Sequence, residues 1–248
     1  MSRLKICLAA SELTPYAKTG GLADVSSALA VYFTEQGHDL RVLMPMYASI
    51  DESELDVTVV PELRRMEIQV GGQTIEYDIV KVSSSAFPTP IYRLKCPALY
   101  HGRELYGGYD EHVRFAVLSR ASIEMCQRLK FAPDIFHVHD WHTALVPVYL
   151  KSVYGWDTLF ENTKTVLTIH NIGYQGVFGN SVLGDIGLEG STEMLDPEDL
   201  YYGRVNFMKA GVMHADLLTT VSPTYAREIL NPEYGMGLEN ALRQRGGS

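Results

Sequence analysis

Short apolar segments alternate with longer amphipathic segments along most of this chain, and this alternation constrains the fold more than any other feature. A strand covered on both faces forms a short apolar run, whereas a helix covered on one face shows apolar residues at a period of about 3.6. Repeated units of this kind predict an α/β fold with a doubly wound, mostly parallel sheet. The predicted strands cover residues 4–9, 40–43, 135–138, 165–169 and 217–221, and the predicted helices cover 22–36, 112–130, 143–151, 206–213 and 224–230.

The segment 57–95 has a different pattern, because apolar and polar residues alternate one by one over several short runs. Gly71-Gly72 falls between two such runs, where a tight hairpin turn needs positive φ. The pattern predicts an antiparallel insertion at the edge of the parallel sheet.

Length and composition indicate one globular domain. With 248 residues and a hydrophobic content of 46%, the chain is long enough to bury a full α/β core. We expect this domain to cover residues 1–245. Residues 246–248 read Gly-Gly-Ser and are expected to be a frayed end or a cloning scar.

The charge and the cysteines narrow the possible partners and compartment. A net charge of -9 argues against nucleic acid or an anionic membrane, since both reward clustered Lys and Arg. Three widely spaced cysteines without Cys-x-x-Cys spacing indicate neither a disulfide framework nor a thiolate metal site. No apolar run approaches the roughly 20 residues of a membrane helix. We therefore expect a protein of the cytoplasm, or of the plastid stroma in a plant or alga, with no nucleic-acid or membrane partner.

Polar, glycine and aromatic residues cluster directly after four of the predicted strands. Ligands of open α/β sheets bind in the crevice at the carboxyl ends of the strands, so we expect the four clusters to meet at one rim. The first cluster runs from Ser11 to Asp24 and contains Lys18, Gly20 and Gly21. A glycine pair that opens a helix leaves N–H groups free for an anion, and Lys18 adds a positive charge. A tight turn with a solvated lysine explains these residues equally well, and Asp24 also fits the helix dipole.

The second cluster spans residues 137–142 and reads His-Val-His-Asp-Trp-His. Three histidines this close favour a metal site, because strand periodicity places His137 and His139 on one face. A sugar site explains Asp140 and Trp141 equally well. A carboxylate accepts hydrogen bonds from hydroxyls, and an indole offers a flat apolar face to a pyranose ring. Histidines satisfied within the core are a third interpretation.

Two further clusters complete the expected rim. The third, at 168–176, contains His170 and Asn171, which are neutral hydrogen-bonding groups near pH 7 and suit sugar hydroxyls. The fourth, at 219–226, contains Ser222-Pro223. Ordinary capping of a helix explains this pair at least as well as contact with a ligand does.

Taken together and in order, five motifs resemble those of the bacterial glycogen synthase and plant starch synthase family. They are Lys18-Thr19-Gly20-Gly21-Leu22-Ala23-Asp24-Val25, His139-Asp140-Trp141-His142, Thr168-Ile169-His170-Asn171 with Tyr174-Gln175-Gly176, Val221-Ser222-Pro223-Thr224-Tyr225-Ala226, and Tyr234-Gly235-Met236-Gly237-Leu238. The resemblance implies the Rossmann-like N-terminal half of a glycosyltransferase B fold, in which two α/β domains face each other across the active site. It also implies transfer of glucose from ADP-glucose or a related nucleotide sugar to the non-reducing end of an α-1,4-glucan, with retention of configuration and without a metal or other cofactor.

The resemblance further divides the site into groups that hold the nucleotide diphosphate and groups that line the glucose and acceptor. The implied diphosphate contacts are Lys18, Gly20 and Gly21, and the implied sugar contacts are Asp24, Asp140, Trp141, His170 and Asn171, with His170 and Asp24 assigned to catalysis. Fixed positive groups and helix N-termini can stabilise a leaving diphosphate without a cation. The aromatic contact with the nucleotide stays open between Tyr106 and Tyr109. The donor-binding C-terminal domain is expected to lie outside this chain.

Two other functions stay open at this point. One is a zinc-dependent hydrolase built on His137, His139 and His142, and the other is a non-catalytic glucan-binding module. The transferase hypothesis explains all four clusters, whereas the hydrolase explains only the second. A glucan-binding module has no need of the Lys18 and glycine-pair turn. The sequence does not decide between ADP-glucose and UDP-glucose, or between glycogen and starch.

Overall fold

A computed structural model describes residues 3–50, 55–83, 87–101 and 104–246 of the chain. Its strands are β1 (Lys5–Ala9), β2 (Asp39–Pro45), β3 (Asp56–Val59), β4 (Met66–Val70), β5 (Gln73–Ser83), β6 (Ile91–Lys95), β7 (Ile135–His139), β8 (Lys164–Ile169), β9 (Val177–Gly179), β10 (Arg204–Asn206) and β11 (Leu217–Thr220). Its α-helices are α1 (Gly21–Glu35), α2 (Pro97–Tyr100), α3 (Glu111–Arg128), α4 (Asp140–Thr143), α5 (Val146–Lys151), α6 (Pro197–Tyr201), α7 (Phe207–His214), α8 (Pro223–Glu228) and α9 (Glu239–Gln244).

Six parallel strands in the order β6-β2-β1-β7-β8-β11 form the main part of the central sheet. The chain begins in the middle with β1, builds to one side through β2 and β6, and then returns to the other side of β1 with β7. The strand order therefore reverses between β1 and β7. A ligand crevice forms at the carboxyl ends of two strands on either side of such a reversal. The predicted doubly wound, mostly parallel sheet is confirmed.

An antiparallel edge extends the sheet beyond β6, as predicted for the segment 57–95. β5 pairs antiparallel with β6, and both β3 and β4 pair antiparallel with β5. The turn before β5 places Gly71 at φ 52° and Gly72 at φ 79°, a region that glycine enters without strain. One part of the prediction is wrong, because β6 runs parallel to β2, with Val42 opposite Ile91. Local alternation identifies a strand, whereas its direction relative to a partner depends on long-range pairing.

The helix predicted over 143–151 is interrupted in the structure. α4 ends at Thr143 and α5 begins at Val146, with Pro147 in the first turn of α5. Proline lacks an N–H and clashes with a preceding helical turn, so a helix starts at proline more readily than it continues through it. The ends of the other predicted helices lie within one or two residues of the observed ends.

The hydrophobic core covers both faces of the parallel sheet. Cys7 and Leu8 of β1 point to opposite faces and are both fully buried. The three cysteines are free thiols in this core. In the part of the chain that the structure describes, no helix has the length and apolar character needed to cross a bilayer.

Candidate active-site cleft

A cleft of about 900 Å³ opens at the reversal point between β1 and β7. Residues after β1, β7, β8 and β11 line it, together with residues just before α3 and at its start. The fourth cluster contributes only Val221. Ser222 instead caps α8, and its hydroxyl accepts a hydrogen bond from the Tyr225 N–H at 3.0 Å. Of the predicted site residues, the cleft brings together Gly20, Gly21, Asp140, Trp141, His170 and Asn171.

Glu12 organises the turn between β1 and α1. Its side chain is almost fully buried, and its carboxylate accepts hydrogen bonds from the Thr19 N–H at 2.5 Å, the Thr19 hydroxyl at 2.7 Å and the Gly20 N–H at 3.4 Å. The expected free N–H groups of the turn are therefore partly used by Glu12. The helix itself begins at Gly21 without a side-chain cap, and no described residue outside α1 accepts from the N–H groups of its first turn. The start of α1 thus carries N–H groups unpaired among the described residues and the partial positive charge of a helix N-terminus, which favour an anion.

Tyr106 lies at the floor of the same turn. Its hydroxyl donates to Glu12 Oε1 at 2.6 Å and lies 2.8 Å from Ser11 Oγ. Tyr109 is 86% exposed and lies outside the cleft lining, so of these two tyrosines the structure places Tyr106 at the cleft. Burial, reinforced by the nearby Glu12, raises the pKa of Tyr106 well above its usual range, so the hydroxyl remains a neutral donor.

Asp140 has an unusual backbone and an unusual carboxylate. Its φ is +51°, in the left-handed region that most residues avoid. Its side chain is buried, and Oδ1 accepts hydrogen bonds from the His170 N–H at 2.7 Å and the Asn171 N–H at 3.3 Å. Burial raises the pKa of Asp140 to about 7, although these backbone hydrogen bonds act in the opposite direction. Backbone strain combined with a desolvated acid is typical of a functional position.

His170 and Asn171 border the cleft directly after β8. The Nε2 atom of His170 lies 3.0 Å from Nδ1 of His139, a hydrogen-bonding distance. Burial lowers the pKa of His170 to about 4, so the ring is neutral at pH 7. Asn171 Oδ1 accepts a hydrogen bond from the Gly173 N–H at 2.9 Å, and no described residue accepts a hydrogen bond from its NH₂ group. Neutral N–H donors of this kind suit sugar hydroxyls.

The His137 and His139 rings stack with centroids 4.5 Å apart, but the three histidines of the second cluster do not form a three-ligand group. His137 Nε2 lies 2.7 Å from the Thr168 hydroxyl, His139 faces the third cluster, and His142 packs edge-on against Phe115 with centroids 4.6 Å apart. Burial lowers the pKa of His137 to about 4 and that of His142 to about 3. Among the described residues, no group of three or more His, Cys, Asp or Glu could hold a metal ion. The zinc hydrolase hypothesis therefore finds no support in this region.

Trp141 is part of the packed wall and not an open platform. The indole is only 6% exposed and meets Phe115 edge-on, with centroids 4.9 Å apart. Gly176 lies against the ring so closely that a β-carbon there would come within 2.2 Å of Trp141 Cε3. The structure thus contradicts the expected open indole face, because glycine and aromatic neighbours cover the ring. Only a small exposed part of it reaches the cleft.

Lys18 and Asp24 bond to each other outside the cleft lining. Lys18 Nζ lies 2.8 Å and 2.7 Å from the two carboxylate oxygens of Asp24, and both side chains are about half exposed. The Lys18 hydrogen bonds, with a further one from the Thr14 hydroxyl, lower the pKa of Asp24. The structure therefore does not bring Asp24 to the predicted sugar-binding residues. An anion at the start of α1 would compete with Asp24 for Lys18.

A family model described as the starch synthase catalytic domain matches residues 5–244. The chain belongs to this family. It is 38% identical over 247 residues to a glycogen synthase of Geotalea daltonii and 41% identical over 245 residues to one of Desulfitobacterium hafniense, with 98% of this chain covered in each case. The catalytic domain of Arabidopsis thaliana starch synthase IV, bound to ADP and acarbose, matches 98% of this chain with a TM-score of 0.88 and 30% identity.

The chain spans about half the length of the curated relatives it matches, with 50% and 51% of those two proteins covered. It likewise covers 50% of the Arabidopsis chain. The matches extend almost from end to end of the present chain, so the resemblance seen in five separate motifs reflects one continuous family domain.

Glu12 is a buried cleft residue that the sequence motifs do not reveal as part of the site. It stands in the first cluster, directly after an apolar strand, and a buried carboxylate at such a position must be hydrogen-bonded. The position of this carboxylate after a buried strand was the signal in the sequence that could have identified Glu12. Its partners Thr19 and Tyr106 are 7 and 94 residues away, so no local pattern links the three.

Proposed function

We propose that this chain forms the acceptor-side half of a glucosyltransferase that moves glucose from ADP-glucose to the non-reducing end of an α-1,4-glucan with retention. One observation carries the proposal. In a member of the starch synthase catalytic domain family, the uncapped start of α1 and the Asp140, His170 and Asn171 groups line a single cleft at the reversal point of the sheet.

The start of α1 suits the leaving diphosphate. Departure of the sugar leaves negative charge on the phosphates, and fixed N–H groups with the partial positive charge of a helix N-terminus stabilise that charge without a cation. A Cβ at Gly20 or Gly21 would meet no atom within 4 Å, so this side of the turn is open to a ligand. Lys18 precedes Thr19 of this turn. Its ammonium group can add a positive charge to the diphosphate site once its ion pair with Asp24 is broken.

The other wall suits the sugar. His170 is neutral, and Asn171 has an available NH₂ group, so both donate hydrogen bonds to hydroxyls without adding a second positive charge near an oxocarbenium-like glucosyl group. Asp140 holds the backbone of both residues through its carboxylate. These residues position the sugar, and the diphosphate pocket draws charge away from it.

We further propose that a second α/β domain of the same protein closes the cleft and supplies the remaining donor contacts. The curated relatives are about twice as long as the matched region, which supports this arrangement. The Arabidopsis starch synthase IV structure carries ADP and acarbose, a nucleotide and a sugar-like ligand, which supports ADP-glucose as the donor and a glucan as the acceptor.

The test compares this chain with the protein from the complete gene. Both are incubated with ADP-[¹⁴C]glucose and glycogen, with UDP-[¹⁴C]glucose as a matched donor and with EDTA in a parallel reaction. We expect glucan extension by the complete protein, with ADP-glucose preferred and EDTA without effect. We expect the isolated chain to melt cooperatively but to transfer no glucose, because one wall cannot hold the donor or exclude water.

Two results would contradict the proposal in different ways. Robust extension by the isolated chain would show that a complete active site lies within these residues and that no second domain is needed. Absence of transfer by the complete protein from either donor would reject the transferase function itself.

A further inference from the structure

Two histidines from neighbouring strands meet through their ring nitrogens beside the cleft. His139 ends β7 and is fully buried, whereas His170 follows β8 and borders the cleft. β7 and β8 pair in parallel with His139 opposite Thr168, which brings His139 close to the residue two places further along. The distance from His139 Nδ1 to His170 Nε2 is 3.0 Å. One of these nitrogens must therefore donate the hydrogen and the other must accept it.

Neither ring carries a second proton at neutral pH. Burial lowers the pKa of His139 well below its usual value, and the neighbouring His137 and His170 lower it further. Burial lowers the pKa of His170 to about 4, with Glu12 acting weakly in the opposite direction. Each ring therefore has one N–H and one bare nitrogen, and the choice of tautomer in one ring decides the tautomer in the other.

The surroundings of His139 Nε2 decide which ring donates in the hydrogen bond between His139 and His170. Its Nε2 atom is enclosed and has no hydrogen-bond partner in the part of the chain that the structure describes. If His170 were the donor, His139 would carry its hydrogen on Nε2, as a buried N–H without an acceptor. If His139 donates from Nδ1, the unpaired atom is a bare acceptor nitrogen. Buried orphan N–H groups are rarer in proteins than under-satisfied acceptors, so the second arrangement is favoured.

We propose that His139 is a positioning residue that donates from Nδ1 to His170 Nε2 and thereby holds His170 as the Nδ1–H tautomer. No described residue hydrogen-bonds to His170 Nδ1, and this nitrogen is not enclosed by the protein. Its N–H is then free to donate into the cleft. In the proposed transferase, His170 would donate to a sugar hydroxyl, and it would have no free lone pair with which to act as a general base. That last step rests on the proposed function, whereas the tautomer does not.

The tautomer can be measured on this chain without a substrate. In the ¹⁵N-labelled chain at pH 7, long-range ¹H–¹⁵N correlation spectra distinguish the protonated from the bare nitrogen of each imidazole. We expect His170 to be protonated at Nδ1 and bare at Nε2. His139→Leu removes the donor and should shift the His170 nitrogens toward a mixture of tautomers. His139→Asn places an amide N–H near the position of Nδ1 and should restore the wild-type pattern.

A matched control is His137→Leu. The His137 ring stacks on His139 with centroids 4.5 Å apart but hydrogen-bonds to Thr168, so its loss should leave the His170 nitrogens unchanged. A wild-type His170 protonated at Nε2 would overturn the proposal, even if no His139 variant folds. Identical chemical shifts of the His170 ring nitrogens in wild type and in folded His139→Leu would also overturn the proposal. Because these readouts need no glucan or nucleotide, failure of the transferase assay would leave them interpretable.

Discussion

Replacing Asp140 with asparagine is expected to stabilise the folded chain at neutral and alkaline pH. The amide oxygen can still accept the hydrogen bond from the His170 N–H, and asparagine tolerates the positive φ of this position. The variant no longer has to bury a carboxylate that is only 6% exposed. The same change removes a proposed sugar-site charge, so stability and transfer should move in opposite directions.

The magnitude follows from the pKa of Asp140, which rises from 3.8 to about 7 on folding because of burial. Between these values the folded chain keeps a proton that the unfolded chain has released, so stability falls as the pH rises from about 4 to about 7 and then levels off. One pKa unit corresponds to about 1.36 kcal/mol, so the destabilisation is about 4 kcal/mol at pH 8 and roughly 1.5 kcal/mol at pH 5. The stabilising effect of Asp140→Asn should therefore be about 2.5 kcal/mol larger at pH 8.

The assay is thermal unfolding followed by circular dichroism at pH 5 and pH 8. For a chain of this size, about 2.5 kcal/mol corresponds to a difference of roughly 5–10 °C in the Tm gain. Asp24→Asn is the control, because the pKa of the Asp24 carboxylate is lowered by Lys18 and its stabilising effect is complete above pH 4. The Asp24→Asn variant should show a small decrease in Tm, of the same size at pH 5 and at pH 8. A Tm gain for Asp140→Asn that does not grow from pH 5 to pH 8 would refute the reasoning.

Three further changes test other parts of the fold and site. Gly176→Ala should destabilise the chain by at least about 2 kcal/mol in urea unfolding, because the new methyl group overlaps the Trp141 ring and φ is +62°, and an unchanged midpoint would contradict that packing. Lys18→Ala should change stability by less than about 1 kcal/mol, since its ion pair with Asp24 is exposed, while transfer by the complete protein falls about tenfold or more. If the complete protein with Lys18→Ala transferred glucose at the wild-type rate, Lys18 would be only a solvated loop residue. Ser222→Ala should lower the unfolding free energy by about 1 kcal/mol through loss of the α8 cap, and an equal loss in Ser222→Asp would argue against capping.

The sequence alone determined the order and type of five of the six parallel strands and of the main helices, and the edge of the sheet that carries the site. Apolar periodicity is a local property, so it identified β1, β7 and β8 with ends within one residue of those observed. The carboxyl ends of parallel strands meet at one edge, so clusters that follow them in the sequence meet in space. This is why Gly20, Asp140 and His170 share one cleft although they lie far apart in the chain.

Only the tertiary structure decided how these groups are paired. Side chains far apart in sequence meet through strand register and packing, neither of which leaves a local pattern. The placement of Tyr106 at the cleft depended on a hydrogen bond to Glu12 across 94 residues, and the His139 and His170 contact depended on the register of β7 and β8. The burial of Trp141 likewise required that neighbouring elements cover its ring. Contacts of this kind turn residues of the right type into a site, because their energies depend on distance, burial and the partner that each polar group finds.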